Sequence, residues 1–168
     1  MPVKSKPDAY HTVTPYLVVE GAARLIDFAK AAFGAQETER LAAPEGRIGH
    51  AELRIGDSLV MLNDAVMGGK SPKAMGGSPA SLWVYVDDCD SLFNRALAAG
   101  ARPDTGPMGR VSDQFWGDRC GSFTDPYGYR WTIATHKEDL SREEMAQRQA
   151  QWMREMAPAA NTSHVATR

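Results

Sequence analysis

The chain has 168 residues, 43% of them hydrophobic and 24% charged, with a formal net charge of -2 at pH 7. That length can bury the core of one globular domain, and the charge leaves no global basic field to attract nucleic acid or an anionic membrane. Residues 1–10 lack the apolar run of a signal peptide, no stretch approaches about 18 consecutive apolar residues, and Cys89 and Cys120 form neither a CxxC nor a disulfide framework. A soluble, cytoplasmic protein with reduced thiols, and without nucleic-acid or membrane partners, is expected.

After a flexible N-terminus over 1–10, TVTPYLVV (12–19) has the β-branched and apolar content of a strand, with Pro15 marking an edge or a bulge. In GAARLIDFAKAAFGA, Ala22, Leu25, Ile26, Ala29 and Phe33 form a helical stripe closed by Gly34. A short strand around QETERLAA and a PEG turn lead into a hairpin, RIGHAELRI and SLVMLND around Gly56-Asp57. Residues 65–79, rich in Gly, Pro, Ser and Lys, have the composition of a linker; their GGKSP lacks the frame of a phosphate-binding loop.

From residue 80 the same order recurs. SLWVYVDD reads as a strand, CDSLFNRALAAG as a helix ending at Gly100, ARPDTGPMG as a weak strand, and GDRCGSFT with YRWTIAT as a hairpin around DPYG. Laying Val19-Glu20 on Val86-Asp87 brings Leu25-Ile26 onto Leu92-Phe93, a repeat at about 67 residues. Two βαβββ modules follow, 11–64 and 80–137. A helix over 138–157 carries Met145, Gln149, Trp152 and Met156 on one face, suited to docking on the body or on a second subunit, and 158–168 is expected to be disordered.

The phrases PYLVVEGAARLIDF, GHAELRIGDSLVMLND and above all FWGDRCGSFTDPYGYRWTIATHKED resemble the vicinal oxygen chelate superfamily. That superfamily includes glyoxalase I, extradiol dioxygenases, fosfomycin resistance enzymes and bleomycin resistance proteins. HAEL, FWGDR, DPYGYRW and ATHKEDLS look most like its PhnB-like branch. The resemblance spans about residues 11–137. It implies an α+β fold in which tandem βαβββ modules form one cupped, eight-stranded barrel-like sheet, with a C-terminal helix added, and a homodimer. Metal-dependent members hold their ion with His and Glu from four strands. Matching the motifs places Thr14, Met61, Ser81 and Thr132 at those positions, and hydroxyls with a thioether do not replace imidazole and carboxylate. No metal and no cofactor are expected.

The resemblance also sets strand parity, since the ligand positions point into the concave face. Thr14 then carries Tyr16 inward and leaves Val13, Leu17 and Val19 for the core, while Ser81 carries Trp83 and Tyr85. A turn centred on Gly56-Asp57 pairs Arg54 with Leu59, Glu52 with Met61 and His50 with Asn63, so His50, Glu52 and Arg54 join the same face. In the last hairpin, pairing Thr124 with Tyr129 and Phe123 with Arg130 brings Arg119 and Phe123 beside Thr132, with His136 at the mouth and Trp116 placed for a lid or a subunit contact.

Each of these residues supports two readings. His50 and Glu52 are either a general acid and base or a polar pair on a wet face that helps specify the hairpin. Arg119 is either a clamp for a carboxylate or phosphate or half of a structural ion pair, and the aromatic residues either stack on a ligand or pack. The favoured function is metal-independent binding of a small molecule, sequestering an aromatic or anionic metabolite or antibiotic in the concave sheet. The alternative is a lyase or isomerase on a small oxygenated substrate, with His50 and Glu52 as acid and base and Arg119 holding the negative end. Replacing His50 by Gln would abolish turnover and spare sequestration.

Overall fold

The computed structural model describes residues 4–65 and 69–156. In the first half β1 (Tyr16–Val19), α1 (Ala22–Phe33), β2 (Gln36–Ala42), β3 (Ile48–Ile55) and β4 (Ser58–Asp64) follow one another. The second half has a short helix α2 (Pro72–Met75), then β5 (Ser81–Tyr85), α3 (Cys89–Ala98), the two-residue strands β6 (Arg102–Pro103) and β7 (Ser112–Asp113), β8 (Asp118–Thr124) and β9 (Arg130–His136). A terminal helix, α4 (Arg142–Met156), completes the order. None of the described helices is long and apolar enough to cross a membrane.

Local chemistry explains the helix ends. α1 stops at Gly34, which takes φ 68° and donates its N–H to the Lys30 carbonyl, a conformation that suits a residue without Cβ. α3 starts at Asp88, whose side chain accepts from the Ser91 N–H at 2.9 Å. Ahead of α4, Ser141 and Glu144 exchange hydrogen bonds as a capping box. β1 is shorter than the expected strand: it begins at Tyr16, and Val13 is 84% exposed instead of lying in the core. Pro15 has no N–H to continue a ladder, although its carbonyl still accepts from Met61.

The apolar stripes of α1 and α3 pack on each other and on the two sheets to form one core. Leu25, Ile26 and Ala29 of α1 are buried with Leu92, Phe93 and Ala96 of α3. Phe33 of α1 reaches across to the second sheet, its ring 4.6 Å from Trp131 and 6.3 Å from Phe123.

The eight strands of one cupped sheet do not form. A four-stranded sheet in the order β1-β4-β3-β2 and a five-stranded sheet, β5-β9-β8-β6 with β7 also on β8, remain separate, and β1 does not pair with β5 among the described residues. The physical reason lies at the edge of β1. Tyr129, from the β8–β9 turn, places its hydroxyl against that edge, donating to the Val18 carbonyl and accepting the Val18 N–H, both at 3.0 Å. The groups that would bind another strand are thus taken by a side chain.

The stretch expected as a mobile linker is anchored where it is described. Ser71 and Pro72 are buried, and Ser71 accepts from the Ala74 N–H while its hydroxyl donates to Glu20 at 3.0 Å. Residues 158–168, expected to be disordered, lie outside the described residues.

Candidate functional site

On the first sheet, the pairing of Glu52 with Met61 and of Arg54 with Leu59 is the register expected from the Gly56-Asp57 turn. Ala51, Leu53 and Ile55 are buried, so His50, Glu52 and Arg54 occupy the face turned away from the helices, with Tyr16 and Met61. Glu52 is the hub of this face. Its Oε1 accepts the hydroxyl of Tyr10, which arrives from the N-terminal segment, and lies 3.3 Å from Nε2 of His50. The Tyr16 ring sits 5.9 Å from the imidazole.

The Tyr10 hydrogen bond, with His50 adding to it, holds the Glu52 carboxyl below the usual range despite partial burial, and the same bond raises the Tyr10 phenol. A carboxylate held ionised in this way is a hydrogen-bond acceptor and a weak proton donor. Beside it, Asn63 is 8% exposed and its Oδ1 has no partner among the described residues.

The second sheet departs from the expected register by one residue. Thr124 pairs with Arg130 and Phe123 with Trp131, because Asp125 pairs back to Tyr129 and its buried carboxylate accepts from the N–H groups of Tyr127 and Tyr129 and from Nε1 of Trp131. A one-residue slip reverses every side chain of the strand. Phe123 therefore lies wholly in the core against Phe33 and Phe93. Arg119 turns toward α3, where it holds both oxygens of Asp90 at 2.6 and 2.7 Å and Asp113 at 3.1 Å. Neither joins the outer face, and the cationic group expected there is absent from it.

What replaces them is an assembly around Asp118. Asp118 is 4% exposed and accepts from the Tyr85 hydroxyl at 2.9 Å and from the Trp116 indole at 3.1 Å, while Nδ1 of His136 lies 2.8 Å from its other oxygen. The Trp83 ring is 6.2 Å from Tyr85 and 6.5 Å from Trp116. Trp83 and Tyr85 remain about half exposed, at 46% and 60%. Asp118 and Asp139 raise the His136 imidazole. Burial pushes the neighbouring Cys120 thiol up to about 11, which keeps it protonated and unreactive. The corrected parity of β8 is the signal that would have found Asp118, since it pairs directly with His136.

Beside these rings an open cleft of about 910 Å³ runs between the β3–β4 turn and the outer edge of β5, with Phe33, Leu92 and Trp131 in its floor and Trp83 and Tyr85 on its wall. The positions that hold the metal in the resembling superfamily do not fit one. Met61 is on one sheet and Ser81 and Thr132 on the other; Thr132 is buried with its hydroxyl 2.8 Å from that of Ser122, and Thr14 donates to the His11 carbonyl. Among the described residues no three His, Cys, Asp or Glu side chains cluster as metal ligands.

Comparison with known proteins places the chain in a superfamily. The family model of the Glyoxalase/Bleomycin resistance protein/Dioxygenase superfamily matches residues 10–133. A Mycobacterium bovis protein described as uncharacterised is 42% identical over 138 residues, covering 79% of this chain and 88% of that one. Among solved structures, TioX from Micromonospora sp. ML1 superposes with a TM-score of 0.59 at 27% identity over 75% of this chain and 98% of that one. The PhnB protein from Bacillus cereus gives 0.57 at 19% identity, covering 74% and 99%, a likeness of fold alone.

Proposed function

Because the chain belongs to the glyoxalase/bleomycin resistance protein/dioxygenase superfamily, we propose that it binds a small organic ligand, aromatic in part, on the outer face of β5 and β9 and in the adjoining cleft, and sequesters it without a metal. One observation carries this reading. Tyr85 and Trp116 are held by Asp118 with half-exposed Trp83 beside them, so the rings that would meet a ligand are already oriented, and little side-chain entropy remains to be lost on binding. The anionic group expected on the ligand loses its support, because Arg119 is engaged by Asp90 and Asp113. The PhnB-like branch and a cytoplasmic location belong to the same reading. So does a homodimer, supported by the apolar Trp152, Met153 and Met156 that α4 leaves exposed.

A second reading, acid/base chemistry of the lyase or isomerase type, draws on the 3.3 Å approach of His50 to Glu52. Two measurements separate the readings. With 2-naphthol as probe and tryptophan fluorescence as readout, Trp83→Ala weakens binding about tenfold and His50→Gln leaves it unchanged. Binding that ignores Trp83, together with proton exchange into dihydroxyacetone in heavy water that His50→Gln abolishes, would replace sequestration by catalysis.

A further inference from the structure

The sign of charge that the ring site prefers follows from its own groups. We infer that the face formed by Trp83, Tyr85 and Trp116 over Asp118 takes an organic cation of the alkylated or quaternary ammonium class. The inference rests on the location proposed above and adds the chemistry of the ligand.

Two observations and the electronics of aromatic rings converge. Tyr85 and Trp116 both donate to the same oxygen of Asp118, at 2.9 and 3.1 Å, which turns their polar edges inward, and the rings of Tyr85 and Trp83 stay exposed while Trp116 is half-buried against Phe115. Aromatic faces carry the negative part of the ring quadrupole, and donation of the N–H or O–H to a carboxylate adds electron density to the ring. Asp118 is 4% exposed, so water screens its charge little.

The surrounding charges point the same way. His136 bridges Asp118 and Asp139, at 2.8 and 3.1 Å, so even a protonated imidazole is outnumbered by two carboxylates. Arg119 faces α3 and is held by Asp90 and Asp113, and Arg130, at the far end of β9, is paired with Asp104. Lys137 lines a recess of about 230 Å³ together with Asp113, Asp118 and Glu138, of which Asp113 is shared with Arg119 and Glu138 is held by Arg148, so among the described residues Lys137 is the cation there without an ion pair of its own, and it lies beside Asp118. An ammonium with methyl or methylene groups meets both demands of such a face, apolar contact with the rings and opposite charge to the carboxylate behind them. A carboxylate or phosphate meets neither.

The test uses the full chain and two probes of one shape, choline and its uncharged isostere 3,3-dimethylbutan-1-ol, with naphthalene-2-carboxylate and 2-naphthol as further ligands, each titrated by tryptophan fluorescence and calorimetry. Choline is expected to bind about tenfold more tightly than the isostere, with most of that preference lost in Trp83→Leu and in Asp118→Asn. Should Asp118→Asn fail to fold, Tyr85→Phe, which keeps the ring and removes its bond to the carboxylate, is expected to narrow the preference. Equal binding of choline and its isostere, or stronger binding of naphthalene-2-carboxylate, overturns the inference. If 2-naphthol still binds through Trp83 in that case, the proposed ligand site stands without it. If no probe binds, both fall.

Discussion

Glu52 shows how one side chain can be committed by its neighbours before any ligand arrives. Its Oε1 takes the Tyr10 hydroxyl and the approach of His50, and the ionised form is favoured by the Tyr10 bond first. A carboxyl whose folded pKa is lowered adds stability that is fully present above its unfolded value and is lost as pH falls through the folded one. Tyr10→Phe is expected to move the Glu52 titration upward toward the ordinary carboxylate range and to shift the acid limb of stability to higher pH. Both shifts are read by NMR titration of the side-chain carboxyl and by urea unfolding between pH 3 and pH 6, spanning the range around about 4.3. An unmoved titration would show that Tyr10 does not hold the carboxylate in solution. The sequence placed His50 and Glu52 side by side, since two residues apart on a strand share a face. It could not show that Tyr10, 42 residues from Glu52, is their third member.

The two hairpins differ in how far their elements were legible. Around Gly56-Asp57 a short turn fixes the pairing of β3 and β4, and parity alone then locates His50, Glu52 and Arg54. Around Asp125-Pro126-Tyr127-Gly128 the deciding group is a side chain. The Asp125 carboxylate accepts from two backbone N–H groups and from the buried indole of Trp131, and so holds the turn one residue wider than backbone rules suggest. That single step sends Arg119 and Phe123 to the helix side and brings Asp118 out. Asp125→Ala would leave three donors without a partner, the Trp131 indole being fully buried, and is expected to cost on the order of 3 kcal/mol. The urea midpoint measures it; a loss below about 1 kcal/mol would mean that the loop finds other acceptors and that Asp125 does not set the register.

At the scale of the whole molecule, the recurrence of a strand, a helix and a closing hairpin was visible as a spacing in the sequence, although the second half places two short strands, β6 and β7, where one weak strand was expected, and the shared helical core follows from the matching stripes of α1 and α3. Whether the two sheets join was not visible, because it depends on edge chemistry between distant residues. Tyr129 and Val18 are 111 positions apart, and nothing in the local pattern of either marks the contact. The separation leaves the chain with two outer faces of unlike chemistry: Glu52 with its phenol and imidazole on one, aromatic rings over a hidden carboxylate on the other.

The phenol on Val18 has one more effect. The Val18 amide is shielded by no strand of its own sheet; its acceptor is a side chain from the other half of the molecule. Its exchange with deuterated solvent therefore counts how often the halves part, while the amides inside each ladder count how often that ladder melts. One proton thus becomes a gauge of the joint between the modules.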